Sequence, residues 1–329
     1  SVFICVHLWL ILFILFLMNI IFMGTPDFAV PTLEGLINSN HKIIAVFTQP
    51  DRPKGRGREV VPSPVKVKAD ANNIPVLQPE KVKEPDFIKK ISEYNPDCIV
   101  VVAFGQILPK DILNLPRYGC INLHASLLPK YRGAAPINWA LIKGETKTGV
   151  TSMFMEEGMD TGDILIQREI EIKEDDNAGT LHDKLSQIGN NVILETLDKL
   201  ERGIIKRIKQ DSSVATYASK IKKEDCIIDW NAGAEDIVNK IRGLTPLPGA
   251  YTLYNGKRLK ITNADYKKQE ARGKNGEVFE VNRNGIKVTC RDGIVIIKSL
   301  QPEGKRVMST GEFISGHSIK TGEILRGRR

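Results

Sequence analysis

Short apolar, β-branched runs recur along the first half of the chain, at Asn19–Met23, Lys42–Thr48, Cys98–Phe104 and Gly119–Leu123. Runs of this length without polar alternation predict parallel strands covered on both faces. The stretches between them have a different period: Ala29–Asn38 is helix-like, and Pro85–Tyr94 sets Ile88, Ile91 and Tyr94 at helical spacing with polar residues between. Strand and helix in alternation predict an α/β class with an open, mostly parallel sheet, whose ligands sit beyond the carboxyl ends of the strands. That rule points to Gly24, Thr48, Phe104 and His124. Two further strand-like runs, Gly149–Met155 and Ile164–Ile172, lead into a long amphipathic stretch over Thr180–Leu200, which closes a first domain expected at 18–203.

The second half is patterned differently. Residues 204–223 are polar and rich in Lys and Ser, and read as a linker. From 224 to 329 a helix-like Ala234–Arg242 precedes short alternating segments at Ala250–Tyr254, Lys257–Thr262, Glu277–Asn282, Gly285–Cys290 and Ile294–Leu300. Some are separated by Asn-Gly turns, and the set predicts a small antiparallel β-barrel of the OB-like kind.

Charge sharpens this division. The 329 residues carry a net +8, yet residues before 200 hold 21 basic against 24 acidic side chains, and those from 200 onward hold 26 against 15. A basic C-terminal part beside a mildly acidic one suggests a polyanionic partner, nucleic acid before membrane surface. The five cysteines are isolated, with no CxxC pair, and the five histidines show no HExxH, so a reducing compartment and no protein-held metal are expected.

From Val2 to Met18 the chain is apolar apart from His7, and no charge appears before Asp27, a stretch long enough to cross a bilayer. It lacks a basic leader, a small-residue cleavage site and flanking Lys or Arg. Since Met18-Asn19-Ile20-Ile21 runs straight into the first strand, the expectation is translated upstream sequence before a start at Met18. An anchor and a signal sequence are the competing readings.

Candidate chemistry is densest from Asn122 to Pro136. Asn122 and His124, two apart on a strand, point to the same face and set a carboxamide beside a titratable ring at the ligand edge. Some way downstream, Met159-Asp160-Thr161-Gly162-Asp163 places a carboxylate in a glycine-flanked turn. Taken alone, a strand histidine is more often structural, and Asp160 beside glycine is a turn residue by default. No nucleophilic Ser or Cys sits in a recognisable elbow, so any chemistry here is acid–base and electrostatic.

The run Asn-Leu-His-Ala-Ser-Leu-Leu-Pro-Lys-Tyr-Arg-Gly-Ala-Ala-Pro at 122–136, followed by Asp160-Thr161-Gly162-Asp163, resembles the signature of the folate-dependent formyltransferases. Gly24-Thr25-Pro26-Asp27-Phe28, the segment Gln49–Arg58 and Ser299–Lys305 resemble the branch of that family that acts on charged tRNA. The likeness runs from Met18 to at least Arg306; residues 1–17 have no counterpart, and nothing is carried over after Phe313. It implies a Rossmann-like catalytic domain and transfer of a formyl group from 10-formyltetrahydrofolate, as donor substrate, to the α-amine of methionyl initiator tRNA. By the same resemblance Asn122, His124 and Asp160 are catalytic. Ser126, Leu127, Leu128 and Pro129 border the folate, with Val102–Gln106 and Glu156–Gly158 lining the pocket.

The segment Asp51–Lys68 carries Arg52, Lys54, Arg56, Arg58, Lys66 and Lys68 and reads as a mobile basic loop. In the resembled branch it enters the acceptor end of the tRNA, with Arg52, Lys54, Arg56 and Arg58 as RNA-binding residues. A monomer in the bacterial cytoplasm, binding no DNA, membrane or metal, completes the expectation; an organelle is the alternative address. Glycinamide ribonucleotide and amino-sugar formyltransferases are the neighbouring activities, and a tethered RNA-binding protein without catalysis is the reading from another class.

Overall fold

A computed structural model describes residues 17–54, 59–269 and 273–327. These residues pack as two compact units. The first takes in the chain through Pro129, Gly149–Arg168 and Leu185–Val214, and the second Lys130–Thr148, Glu169–Lys184 and the chain from Ala215. Of the apolar leader, residues 1–16 lie outside the described residues, as do Arg56 and Arg58. No helix among the described residues is long and apolar enough to cross a membrane.

The strands are β1 (Asn19–Gly24), β2 (Lys42–Phe47), β3 (Arg52–Lys54), β4 (Glu59–Val61), β5 (Val76–Leu77), β6 (Cys98–Val102), β7 (Cys120–His124), β8 (Arg132–Gly133), β9 (Lys147–Phe154) and β10 (Ile164–Glu171). Seven of them form one sheet in the order β10-β9-β7-β6-β1-β2-β5. Pairing is parallel from β7 across to β5, and antiparallel between β7 and β9. The chain winds outward from β1 through β2 and β5, then returns to place β6 on the other side of β1. This reversal is the topological switch point, the crevice where such sheets bind ligands. The apolar runs are strands because both faces are covered: every residue of β6 is buried, and Ile20, Ile21, Phe22 and Met23 of β1 are inaccessible.

Ala178–Glu201 forms one long helix, and glycine lets its second half approach the sheet. A Cβ on Gly189 would stand 2.4 Å from Leu123 Cδ2, so the helix rests directly on β7, one residue before His124. At the helix end, His41 has its Nδ1 buried without a hydrogen-bond partner. Burial pushes its pKa down, against the upward pull of Glu201 and Asp198. The unfolded chain therefore binds this proton near pH ~6.5 while the folded chain accepts it only at lower pH. Stability should fall as pH drops through that window, by at most about 1.4 kcal/mol per pH unit, and level off below it. Denaturant unfolding of His41→Asn beside wild type, from about pH 8 to 5, checks this; parallel curves would remove His41 as the cause.

In the second unit the strands are β11 (Tyr217–Ala218), β12 (Ala250–Tyr254), β13 (Lys257–Lys268), β14 (Val278–Asn282), β15 (Gly285–Cys290), β16 (Gly293–Pro302) and β17 (Met308–Ser309). β11 pairs with β8 in parallel. The main sheet is antiparallel, in the order β12-β13-β16-β15-β14. The helix Ala234–Leu244 buries Ile237, Val238, Ile241 and Leu244 in a core shared with Trp230, Leu259, Ile286, Val288 and Phe313.

The tail beyond Phe313, from which the sequence yields nothing, closes this sheet. Leu253 on edge strand β12 exchanges backbone hydrogen bonds with Arg326 at 2.9 and 3.0 Å, while Gly276 accepts from Leu325 and Val278 donates to Glu323, each at 2.8 Å. The two edges, β12 and β14, are thus bridged by one extended segment. Closure of this kind satisfies edge groups that would otherwise template aggregation. Its absence from the sequence reading has a simple cause: a short glycine-interrupted strand shows no alternation to detect.

Candidate active site

The carboxyl ends of β1, β2 and β6 are tied together by side chains. Thr25 Oγ1 donates to the Phe104 carbonyl at 3.1 Å and accepts from Gln49 N at 3.3 Å, and Gln49 Nε2 donates to the same carbonyl at 3.1 Å. Gln106, expected to line a pocket, is held by two hydrogen bonds. Its Oε1 accepts from Val82 N at 2.7 Å and its Nε2 donates to the Pro79 carbonyl at 3.0 Å.

One strand over, β7 ends in His124. Asn122 and His124 share a face, Asn122 half-buried and His124 6% exposed. Across from them β9 sets Met153 beside Asn122 and Thr151 beside His124. His124 Nδ1 stands 3.7 Å from Asp160 Oδ2, and both side chains are largely buried. That is ion-pair distance, longer than a hydrogen bond, and such contacts tighten when a reacting complex forms. The spacing brings a ring nitrogen and a carboxylate together in a site of low dielectric, where their interaction is stronger than in water.

Asp160 adopts φ +53°, the left-handed region uncommon for a side-chain-bearing residue and enriched at functional sites. Its turn packs hard against β9: a Cβ on Gly162 would lie 1.9 Å from the Phe154 carbonyl oxygen. Gln210, buried in the stretch read from sequence as linker, donates through Nε2 to the carbonyls of Asp160 at 2.8 Å and Gly162 at 2.7 Å.

Ser126, Leu127, Leu128 and Pro129 leave β7 as a shaped wall. Ser126 is inaccessible and its carbonyl accepts from Thr151 Oγ1 at 2.6 Å. Leu128 N donates to Thr151 Oγ1 at 3.3 Å, and Gln167 Nε2 donates to the Leu128 carbonyl at 2.8 Å. Leu127 and Pro129 remain half-exposed. A wall whose own backbone groups are partly satisfied, with apolar surface still open, suits a flat aromatic ring system. Thr151, Gln167 and Gln210 were not legible in advance, since a lone polar residue on a strand or in a connector carries no periodic signal.

The basic segment is only partly a loop. Arg52–Lys54 and Glu59–Val61 pair as a hairpin, and Ser63 caps a helix over Pro64–Asp70 by accepting from Lys66 N at 3.0 Å. Lys66 and Lys68 belong to that helix. Lys66 pairs with Asp51 at 2.6 Å and Lys68 pairs with Glu34. Hydrogen bonds from Lys66 and Gln78 hold the Asp51 carboxyl below its ordinary range, which pins the base of the hairpin. Arg52 is exposed and lies 3.8 Å from Glu80. Lys54 sits at the end of β3.

The profile of the Formyl transferase family matches residues 18–197, and that of the Formyl transferase, C-terminal domain matches 220–318. The methionyl-tRNA formyltransferase of Citrifermentans bemidjiense is 51% identical over 310 residues, covering 94% of this chain and 96% of that protein. That of Geobacter metallireducens is 54% identical, covering 93% and 97%. Among solved structures, the N-formyltransferase from Helicobacter canadensis in complex with folinic acid and dTDP-3-aminofucose superposes with a TM-score of 0.63 at 21% identity. It covers 87% of this chain and all of that one. The chain therefore belongs to the formyl transferase family, and the members it matches over nearly the full length of both chains are methionyl-tRNA formyltransferases.

Proposed function

We propose that the first unit transfers the formyl group of 10-formyltetrahydrofolate to the α-amino group of methionyl initiator tRNA, for translation initiation. The observation that carries this is the His124–Asp160 pair at 3.7 Å beside Asn122, on the carboxyl edge of the sheet, in a chain about half identical to methionyl-tRNA formyltransferases. The neutral amine attacks the formyl carbon and gives a tetrahedral oxyanion. The Asn122 carboxamide and a protonated His124 donate to that oxygen. Asp160, beside the His124 ring, accepts the proton released by the attacking amine and passes it toward the folate nitrogen. Collapse breaks the bond from carbon to that nitrogen, leaving formyl-methionyl-tRNA and tetrahydrofolate. Ser126, Leu127, Leu128 and Pro129 hold the pterin ring.

The basic residues Arg52, Lys54, Arg56 and Arg58 bind the acceptor end, and the basic second half grips the RNA through phosphates, as its excess of Lys and Arg favours. The bacterial relatives support a cytoplasmic reaction.

The test is formyl transfer from 10-formyltetrahydrofolate to charged initiator tRNA, run beside a nucleotide-linked amino sugar as rival acceptor. Turnover is expected with the tRNA alone, weakening as salt rises; preference for the sugar overturns the reading. Arg56→Ala should lower kcat/KM for the tRNA roughly 10- to 100-fold and leave folate affinity intact, and unchanged tRNA kinetics would strip Arg56 of that role.

A further inference from the structure

The turn that carries Asp160 does not hold itself. Asp160 takes a left-handed backbone, φ +53°, which the packing around it holds in place. Much of that packing comes from a stretch fifty residues downstream. Ile208 and Ile164 exchange backbone hydrogen bonds at 2.8 and 2.9 Å. Arg207 Nε donates to Asp163 Oδ2 at 3.0 Å, and its guanidinium lies 4.5 Å over the Phe154 ring. Gln210 then spans the turn, one amide nitrogen donating to the carbonyls on either side of Thr161. Gly162, packed against the Phe154 carbonyl, leaves the turn no room to shift toward the sheet.

An amide nitrogen carries two hydrogens in one plane, which matches two carbonyls 2.7 and 2.8 Å away. A carboxylate of the same size offers only acceptors there. We propose that Gln210 is a positioning residue for the reaction: its two hydrogen bonds fix the backbone of Asp160 so that the carboxylate meets His124, and residues 207–210 serve as the brace of the catalytic turn. This rests on the reading of Asp160 as the carboxylate that pairs with His124 and carries the proton. Gln210 touches neither substrate in this account; it acts through Asp160. A displacement of about an ångström at a reacting group can cost on the order of 100-fold in rate.

The experiment uses the full chain. Gln210→Ala and Gln210→Glu are each expected to lower kcat roughly 10- to 100-fold, with KM for 10-formyltetrahydrofolate and for charged tRNA within about threefold of wild type. In an Asp160→Asn background the same Gln210→Ala change is expected to cost less than about threefold further, because residues acting as one unit are not additive. If Gln210→Ala also lowers the unfolding midpoint, Gln210→Glu, which keeps the volume, carries the comparison. Wild-type kcat in both Gln210 variants, an effect confined to KM, or an undiminished loss in the Asp160→Asn background each overturns the proposal. Full activity of Asp160→Asn alone overturns instead the reading of Asp160, so the two failures are told apart.

Discussion

Replacing His124 with alanine is expected to lower kcat about 100- to 1000-fold, the usual cost of removing one donor to a developing oxyanion, while the protein still folds. The ring sits at the last residue of β7, where the backbone is held by its pairing with Thr151 and Leu123 is held by Ser152. Loss of the side chain opens a gap at the strand's end and leaves the sheet's interior filled. Asn122→Ala removes the other donor and should fall in the same range. Asp160→Asn keeps shape and loses charge and basicity, so it separates proton handling from packing; about 100- to 10,000-fold is expected. Single-turnover rates with charged tRNA, taken beside circular dichroism, distinguish chemistry from misfolding. A variant with wild-type turnover loses its residue's assigned part.

Leu325→Ala should destabilise the second unit by about 2–5 kcal/mol, the range for truncating a buried leucine. Leu325 is 1% exposed in the core that holds Trp230 and Phe313, and its neighbours bridge Leu253 and Glu277 on the two edges. The substitution therefore weakens the core and the closure together. Hydrogen exchange at the amides of Leu253 and Val278 should speed up with it, since both are paired to the tail. Equilibrium unfolding within about 0.5 kcal/mol of wild type would mean that the sheet keeps its form without the segment, and the proposed seal would be abandoned.

Much of the sheet could be read from hydrophobic runs because strands covered on both faces leave long apolar stretches, and β1, β2, β6 and β7 fall within a residue or two of those runs. His124 was reachable because it ends one of them. What escaped has a common character. Thr151, Gln167 and Gln210 act through contacts between residues distant in sequence, and a single polar side chain has no period to reveal it. The Asp51–Lys68 segment is a different miss. Ser63-Pro64 is a helix start by composition, a capping hydroxyl followed by proline at the first helical position, and the count of charges obscured it. Lys66 and Lys68 are thereby spent on ion pairs with Asp51 and Glu34.

Residues 207–210 are wired to the turn bearing Asp160, so the chain as far as Val214 travels with the first unit. For anyone building chimeras, the seam on this side lies after Val214. A graft fused at Gly203 would set foreign side chains where the Gln210 amide belongs, and such a hybrid should assemble well and turn over slowly.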